Sequence, residues 1–283
     1  MKPRDLAELV RLPAALTVPG DTLAGAAAAG WPLGRRAWAL PAASVCLYWA
    51  GMALNDYADR ELDALERPER PIPSGRITPR QAVGIAGGLT VAGLVAAAAA
   101  GGRRAMQVAA PLAVTVWAYD LALKQTSLGP AAMAAARGLD VLLGAGGHRA
   151  AALPAVAVAG HTAGVTALSR GEVHGTSRAV AAGALATTLG VATLTVLPVK
   201  RGMAATAAGV LAATYAVTVG RAQAAAMDRP DGSTARRATG AGIRGLIPLQ
   251  AALIARAGAL GLAGALMAAG PIAKLASKVV SPT

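Results

Sequence analysis

The 283-residue sequence predicts an all-α polytopic membrane protein with about nine transmembrane helices, on three observations. More than half of the residues are hydrophobic and only 14% are charged. Apolar stretches of spanning length recur along the whole chain, with charged or Gly/Pro-rich breaks between them. Glycine (34 residues) and alanine are abundant, which permits close helix–helix approach within lipid.

The first stretch, 12–33, contains Asp21 and lacks a clear cleavage motif, so it reads as a retained span rather than a signal peptide. The second, 36–54, holds Cys46, the only cysteine, which excludes an intramolecular disulfide and a cysteine metal site. Stretches 81–100 and 105–123 follow, the latter ending in Tyr119-Asp120-Leu-Ala-Leu-Lys124. The fifth, 130–147, carries Arg137 and Asp140 at i, i+3, a spacing that suits either mutual neutralisation or a pocket wall. The sixth, 150–168, closes on Leu168-Ser-Arg-Gly-Glu-Val-His-Gly-Thr176, and 179–198 and 203–221 come next. The last, 241–270, is too long for one straight helix and carries Arg244, Pro248 and Arg256, so a kink or break is expected near Pro248. Between the last two, 228–240 is polar enough for a flexible loop, with Asp228 and Asp231 in a turn. The whole chain, 1–283, reads as a single transmembrane domain.

A net charge of +13 raises nucleic-acid binding, but there is little aromatic interleaving and no compact basic domain. The positive-inside rule accounts for the charge better. With the N terminus in the cytoplasm, sixteen basic residues fall on the inner side and nine on the outer, and every loop acid is on the inner side. An inner-facing active surface follows, with an integral location in a bacterial inner membrane as the expectation.

That surface has a focus. Residues 55–80 hold six of the 14 acidic residues in a chain otherwise rich in Ala, Gly, Leu and Val. If the helix ending the second span continues through Asp63, then Asn55, Asp56, Asp59 and Asp63 fall within about 100° of one face. Carboxylates so crowded repel unless a cation lies between them, and hard oxygen ligands suit Mg²⁺. Arg67, Arg70, Arg76 and Arg80 follow, fork-shaped donors suited to phosphate oxygens. Acids and arginines together read as a metal–diphosphate site, against a solvated loop with internal ion pairs as the plain alternative.

Other polar residues extend it. Lys124 suits a phosphate as a point charge, and Tyr119 a hydrogen bond near the reacting carbon, with interfacial anchoring as the alternative. Arg170 and Glu172 fall on the same side, Glu172 as a further metal ligand or as an arginine partner. His148, His161 and His174 show no metal-ligand spacing.

Asn55-Asp56-Tyr-Ala-Asp59-Arg-Glu-Leu-Asp63 followed by Arg70-Pro-Ile-Pro-Ser-Gly-Arg76-Ile-Thr resembles the first aspartate motif of the UbiA superfamily of intramembrane prenyltransferases, and Tyr119 to Lys124 resembles its tyrosine–lysine motif. The resemblance implies a helical bundle with a lipid-open central cavity and Mg²⁺-dependent transfer of an isoprenyl group from a polyprenyl diphosphate to an acceptor in the membrane. It places Asn55, Asp56, Asp59, Asp63 and Glu172 on metal, and Arg67, Arg70, Arg76, Lys124, Arg137 and Arg170 on diphosphate. Asp59, Asp63, Tyr119 and Lys124 are the expected catalytic residues. Where the family usually carries a second aspartate pair, this chain has Ser169-Arg170-Gly-Glu172-Val-His174, a pattern similar to the EboC-like branch. The competing expectation is a catalytically reduced member that binds or moves a lipid-linked metabolite.

Overall fold

The computed structural model describes residues 2–12, 19–30, 38–197 and 202–269, and among them there are helices and no strand. In order they are α1 (Pro3–Leu9), α2 (Gly20–Ala28), α3 (Ala39–Ala58), α4 (Arg60–Glu66), α5 (Pro79–Ala118) running into a π-helical turn (Tyr119–Leu123), α6 (Gly129–Gly144), α7 (Ala152–Ser169), α8 (Arg178–Val196), α9 (Met203–Asp228) and α10 (Gly232–Arg256). A last apolar helix, α11, covers Leu260–Ala269. The all-helical, membrane-spanning class is as the sequence predicts. Five runs are long and apolar enough to cross a membrane: Pro79–Leu123, Arg149–Ser169, Arg178–Val196, Met203–Asp228 and Gly232–Arg256. Among the described residues length and apolarity thus select five runs, one of which, Pro79–Leu123, contains two of the nine predicted stretches. Stretch 12–33 lies partly outside the described residues, 36–54 corresponds to α3, and 130–147 to the 16-residue α6.

The predicted spans 81–100 and 105–123 are two halves of α5, folded at Gly102, where φ is +57°. Glycine enters that left-handed region without the clash a Cβ brings. Trp117 Nε1 donates to Thr90 Oγ1 at 3.0 Å. Along a straight helix those residues would stand about 40 Å apart, so the halves run antiparallel. Arg104 Nη1 then lies 2.9 Å from His148 Nε2, tying the reversal to the segment between α6 and α7.

Two expectations are corrected at the other end of the chain. The helix does not break at Pro248: α10 passes through it to Arg256, and the break comes at Gly258, with φ +89°. Pro248 and Leu249–Ala255 are buried, so packing on α2, α7 and α9 outweighs the hydrogen bond a proline removes. Nor is 228–240 a flexible loop. Asp231 caps α10 by accepting from Thr234 N–H at 2.9 Å, and helix begins at Gly232. That N–H holds the Asp231 carboxyl down at about 2.

Close approach places α2 against α6. A Cβ on Gly144 would fall on the backbone of Thr22, and one on Gly25 on the carbonyl of Val141. Gly144→Ala is therefore expected to cost about 1–3 kcal/mol of stability, as overpacking does elsewhere, read as a lower melting temperature in detergent. Where these helices meet α10, Arg137 Nε is 2.8 Å from Asp21 Oδ2, and Gln250 Nε2 donates to Asp21 Oδ1 at 2.6 Å. Arg137 therefore pairs across helices with Asp21, not along its own helix with Asp140. Asp140 instead accepts from Ser44 Oγ of α3 at 2.9 Å.

Candidate functional site

The acid island is held by a lid of chain over the end of α3. Ile72 and Ile77 are buried with Leu9, Ala53, Leu54, Ala82 and Ala86. Gly75 takes φ +73° between them, while Ser74 Oγ donates to Arg70 O at 2.6 Å and Ile77 N to Pro71 O at 3.0 Å. Thr78 then caps α5, accepting from Gln81 N–H at 3.2 Å with Pro79 in the first turn. The lid fixes Arg70 above the acids.

The helix does not continue through Asp63 as expected. It stops at Ala58, Asp59 leaves the helical region at φ −91°, ψ 4°, and α4 restarts at Arg60. Around the break the carboxylates meet cations brought in from other parts of the chain. Arg70 Nη1 bridges Asp63 Oδ2 at 2.6 Å and Asp56 Oδ1 at 3.4 Å. Arg11 Nη2 adds a second contact to Asp56 at 3.3 Å. Arg11 has a φ of +50°, an uncommon conformation for a residue with a side chain and a form of strain that gathers at functional sites. Lys124 Nζ reaches Asp59 Oδ1 at 2.6 Å. Asp56 and Asp63 are almost fully buried, so these pairs are shielded from the screening that weakens surface ion pairs.

Lys124 is aimed by the π-helical turn, whose extra residue per turn shifts the register of Tyr119, Asp120 and Lys124 against α3. Asn55 Nδ2 then donates to Asp120 Oδ1 at 3.3 Å. Asp120 and Arg11 are site residues that the sequence reading passed over. The place of Asp120 inside the Tyr119–Lys124 motif was the available signal for one; nothing in the sequence marked the other. Below them lies a cavity of about 240 Å³ between α3, α5 and α6, lined near its mouth by Asn55, Tyr119 and Asp120 and deeper by Leu47, Val116 and Asp140.

The remaining expected residues are placed as follows. Arg137 lines the cavity while paired to Asp21. Arg76 turns away from the acids, to Glu8 at 2.7 Å, Asp5 at 3.0 Å and the Glu69 carbonyl at 2.6 Å. Its guanidinium is therefore held more firmly protonated, by Glu8 above all. Arg170 donates to the carbonyls of Thr126 and Gln125, and Arg67 is exposed at the end of α4. Glu172 belongs to a loop packed on the α9–α10 turn, its carbonyl against Gly232. Among the described residues no three His, Cys, Asp or Glu side chains form a ready metal cluster. The donors of the island are nevertheless all oxygen, from Asn55, Asp56, Asp59, Asp63 and Asp120, a set that fits a hard divalent cation once Arg70 and Lys124 turn aside. Of the histidines, His161 is buried between Tyr215 OH at 2.9 Å and the Gly242 carbonyl at 3.1 Å, a structural role.

The sequence profile of the UbiA prenyltransferase family matches residues 15–238. A digeranylgeranylglyceryl phosphate synthase of Methanopyrus kandleri is 45% identical over 87 residues, 31% of this chain and 31% of that protein. One of Ignicoccus hospitalis is 36% identical over 127 residues, 45% of this chain and 41% of that protein. The chain thus spans well under two thirds of the length of these curated relatives. Among solved structures, one described as digeranylgeranylglyceryl phosphate synthase in membranes superposes with a TM-score of 0.71 at 18% identity, covering 89% of this chain and 97% of its own. A UbiA homologue from Archaeoglobus fulgidus bound to GPP and Mg²⁺ gives 0.65 at 17% identity, covering 90% and 99%. At those identities the likeness establishes the fold.

Proposed function

Because the chain belongs to the UbiA prenyltransferase family, we propose that it transfers an isoprenyl group from a polyprenyl diphosphate to an acceptor within the membrane, with Mg²⁺ as its metal. The observation that carries this reading is the pairing of Arg70 with Asp56 and Asp63, and of Lys124 with Asp59, next in the chain or in space to Asn55 and Asp120, which line a largely apolar cavity. Those cations and carboxylates are matched to two incoming charges. Asp56, Asp59 and Asp63 with Asn55 would hold a divalent metal, leaving Arg70 and Lys124 free to donate to the diphosphate. Mg²⁺, when bound, neutralises charge on the leaving diphosphate. Arg70 and Lys124 donate to its oxygens as the C–O bond breaks and the electron pair leaves with them. Tyr119 and the walls of Leu47, Leu112 and Val116 flank the allylic cation and keep water from it. The acceptor then bonds to the prenyl C1 and gives up its proton.

Glu172 is left out of this metal set. The second-motif pattern Ser169–His174 supports placing the chain in the EboC-like branch, and the charge asymmetry supports N terminus and site in the cytoplasm, for a chain we read as one domain over 1–283 in a bacterial inner membrane. The test is a titration with an unreactive prenyl thiodiphosphate. Chelating Mg²⁺ is expected to weaken binding by about tenfold or more, and Glu172→Gln to leave that metal dependence unchanged. Equal affinity with and without chelator removes the metal from the reading. Metal-dependent binding without transfer to any acceptor favours the member that binds or moves a lipid-linked metabolite.

A further inference from the structure

We propose that a second cavity, between α3, α6, α7 and α10, binds the anionic group of the prenyl acceptor, a phosphate or a carboxylate, on Arg244 and Arg137. The proposal rests on the reading of the island as a prenyl diphosphate site. The cavity, of about 390 Å³, adjoins the one below the acids and shares Tyr48, Met133 and Arg137 with it. Among the described residues two arginines line it and no acid does. The charge on Arg244 is unanswered within the protein. Every Asp and Glu of the chain is described, and none of them pairs with Arg244. Among the described residues its guanidinium has no hydrogen-bond partner either. Arg137 directs Nε to Asp21 at 2.8 Å, and neither of its Nη groups is hydrogen-bonded to a described residue. The hydroxyls of Tyr48 and Thr166 line the same space and are likewise unpaired among the described residues. Guanidinium forks at membrane depth are costly to leave without an anion, and phosphate and carboxylate are the anions whose oxygens match them.

Depth separates these cations from the island. The start of α6, the end of α7 and the start of α10 are tied together, Arg170 donating to the Thr126 carbonyl at 2.6 Å and the Glu172 carbonyl packing on Gly232. Arg244 reaches back towards that end, its Nη1 3.3 Å from where a Cβ on Gly240 would stand. Counted at 1.5 Å per residue from there, Arg137, Thr162 and Gly240 each lie about 10–12 Å deep, so the two guanidinium groups share a level. Lys124, in the turn that leads into α6, stays at the end itself with Asp59. A diphosphate on Lys124 and Arg70 therefore leaves the deeper cations to a second molecule, since the hydrocarbon of the donor offers them nothing. An acceptor held there by its anion has Tyr48 and Met133, common to both cavities, between it and the prenyl group. Selection of this kind is by charge and asks nothing of the outer wall of the cavity.

The experiment uses the full-length protein in an uncharged detergent, saturated with Mg²⁺ and an unreactive prenyl thiodiphosphate, and titrates octyl phosphate, octanoate and octanol. Both anions are expected to bind about tenfold more tightly than octanol. Arg244→Gln is expected to shrink that margin to about threefold or less and Arg244→Lys to keep most of it, while both leave thiodiphosphate affinity within about twofold. Arg244 is exposed and pairs with no described residue, so neither variant threatens the fold; the wild-type series decides the matter should one fail to fold. Nanodiscs separate an acceptor from a membrane lipid. A margin that persists when phosphatidylglycerol is added to phosphatidylcholine discs supports the acceptor site, and its disappearance assigns the cations to lipid head groups and overturns the proposal. Anions that bind no better than octanol overturn it too, as does an Arg244→Gln variant that loses thiodiphosphate along with octyl phosphate. Thiodiphosphate binding without preference for the anions removes the acceptor site alone, whereas no thiodiphosphate binding removes the reading of the island on which it rests.

Discussion

Asp63→Asn is expected to reduce prenyl transfer by about a hundredfold or more, and Mg²⁺-dependent thiodiphosphate binding by about ten- to a hundredfold, in a protein that still folds. Asp63 is tightly held, with Oδ2 2.6 Å from Arg70 and a side chain 5% exposed. Asparagine keeps its volume and one oxygen but removes the anion, so Arg70 retains a hydrogen-bond acceptor and the lid has no reason to open. What is lost is a proposed metal ligand and the charge that pairs with Arg70. Asp59→Asn is expected to act similarly through Lys124, at 2.6 Å. Glu61 supplies the control: it lies in the same helical turn, 86% exposed, and pairs only with Arg60, so Glu61→Gln is expected to leave both readouts unchanged. A loss under threefold for Asp63→Asn would mean the island is a structural clasp.

The largest effect on stability is expected at Arg137. Arg137→Met leaves Asp21, with no exposed surface at all, without its cation and should cost about 3–5 kcal/mol, the usual penalty for removing one partner of a buried pair. The double variant Asp21→Asn with Arg137→Met should recover most of that loss, since an amide keeps the contact with Gln250 and carries no charge. Thermal unfolding of the single and double variants in one detergent measures it. A single variant as stable as the wild type would show that Asp21 is already protonated in the fold.

The sequence made the helical class and the first-motif acids legible because both are local: runs of apolar residues, and six acids in 26 positions. It did not show how those acids are arranged. Nothing in Ala58-Asp59-Arg60 resembles a helix breaker, and the interruption there answers to contacts with Lys124 and Arg70, which are distant in sequence. The π-helical turn that aims Lys124 has no residue signature either. Pro248 misled in the opposite direction, because a local rule was overridden by burial on three neighbouring helices. Arg137 and Asp140 invited pairing by spacing, yet Asp21, more than a hundred residues away, took the arginine. The residues read least well are those whose partner lies on another helix.

The reversal at Gly102 bears on how the protein is made. With Arg103 and Arg104 at the bend and Thr90 hydrogen-bonded to Trp117 across it, there is no tether long enough to let one half of α5 settle in the bilayer while the other waits outside. On the orientation proposed from the loop charges, both halves enter the bilayer as one hairpin with the two arginines crossing at its tip, and the apolar length of both halves offsets the cost of that transfer. The proposed first-motif site is assembled only after that step, because the half that ends at Tyr119 and Lys124 is the second to emerge from the ribosome.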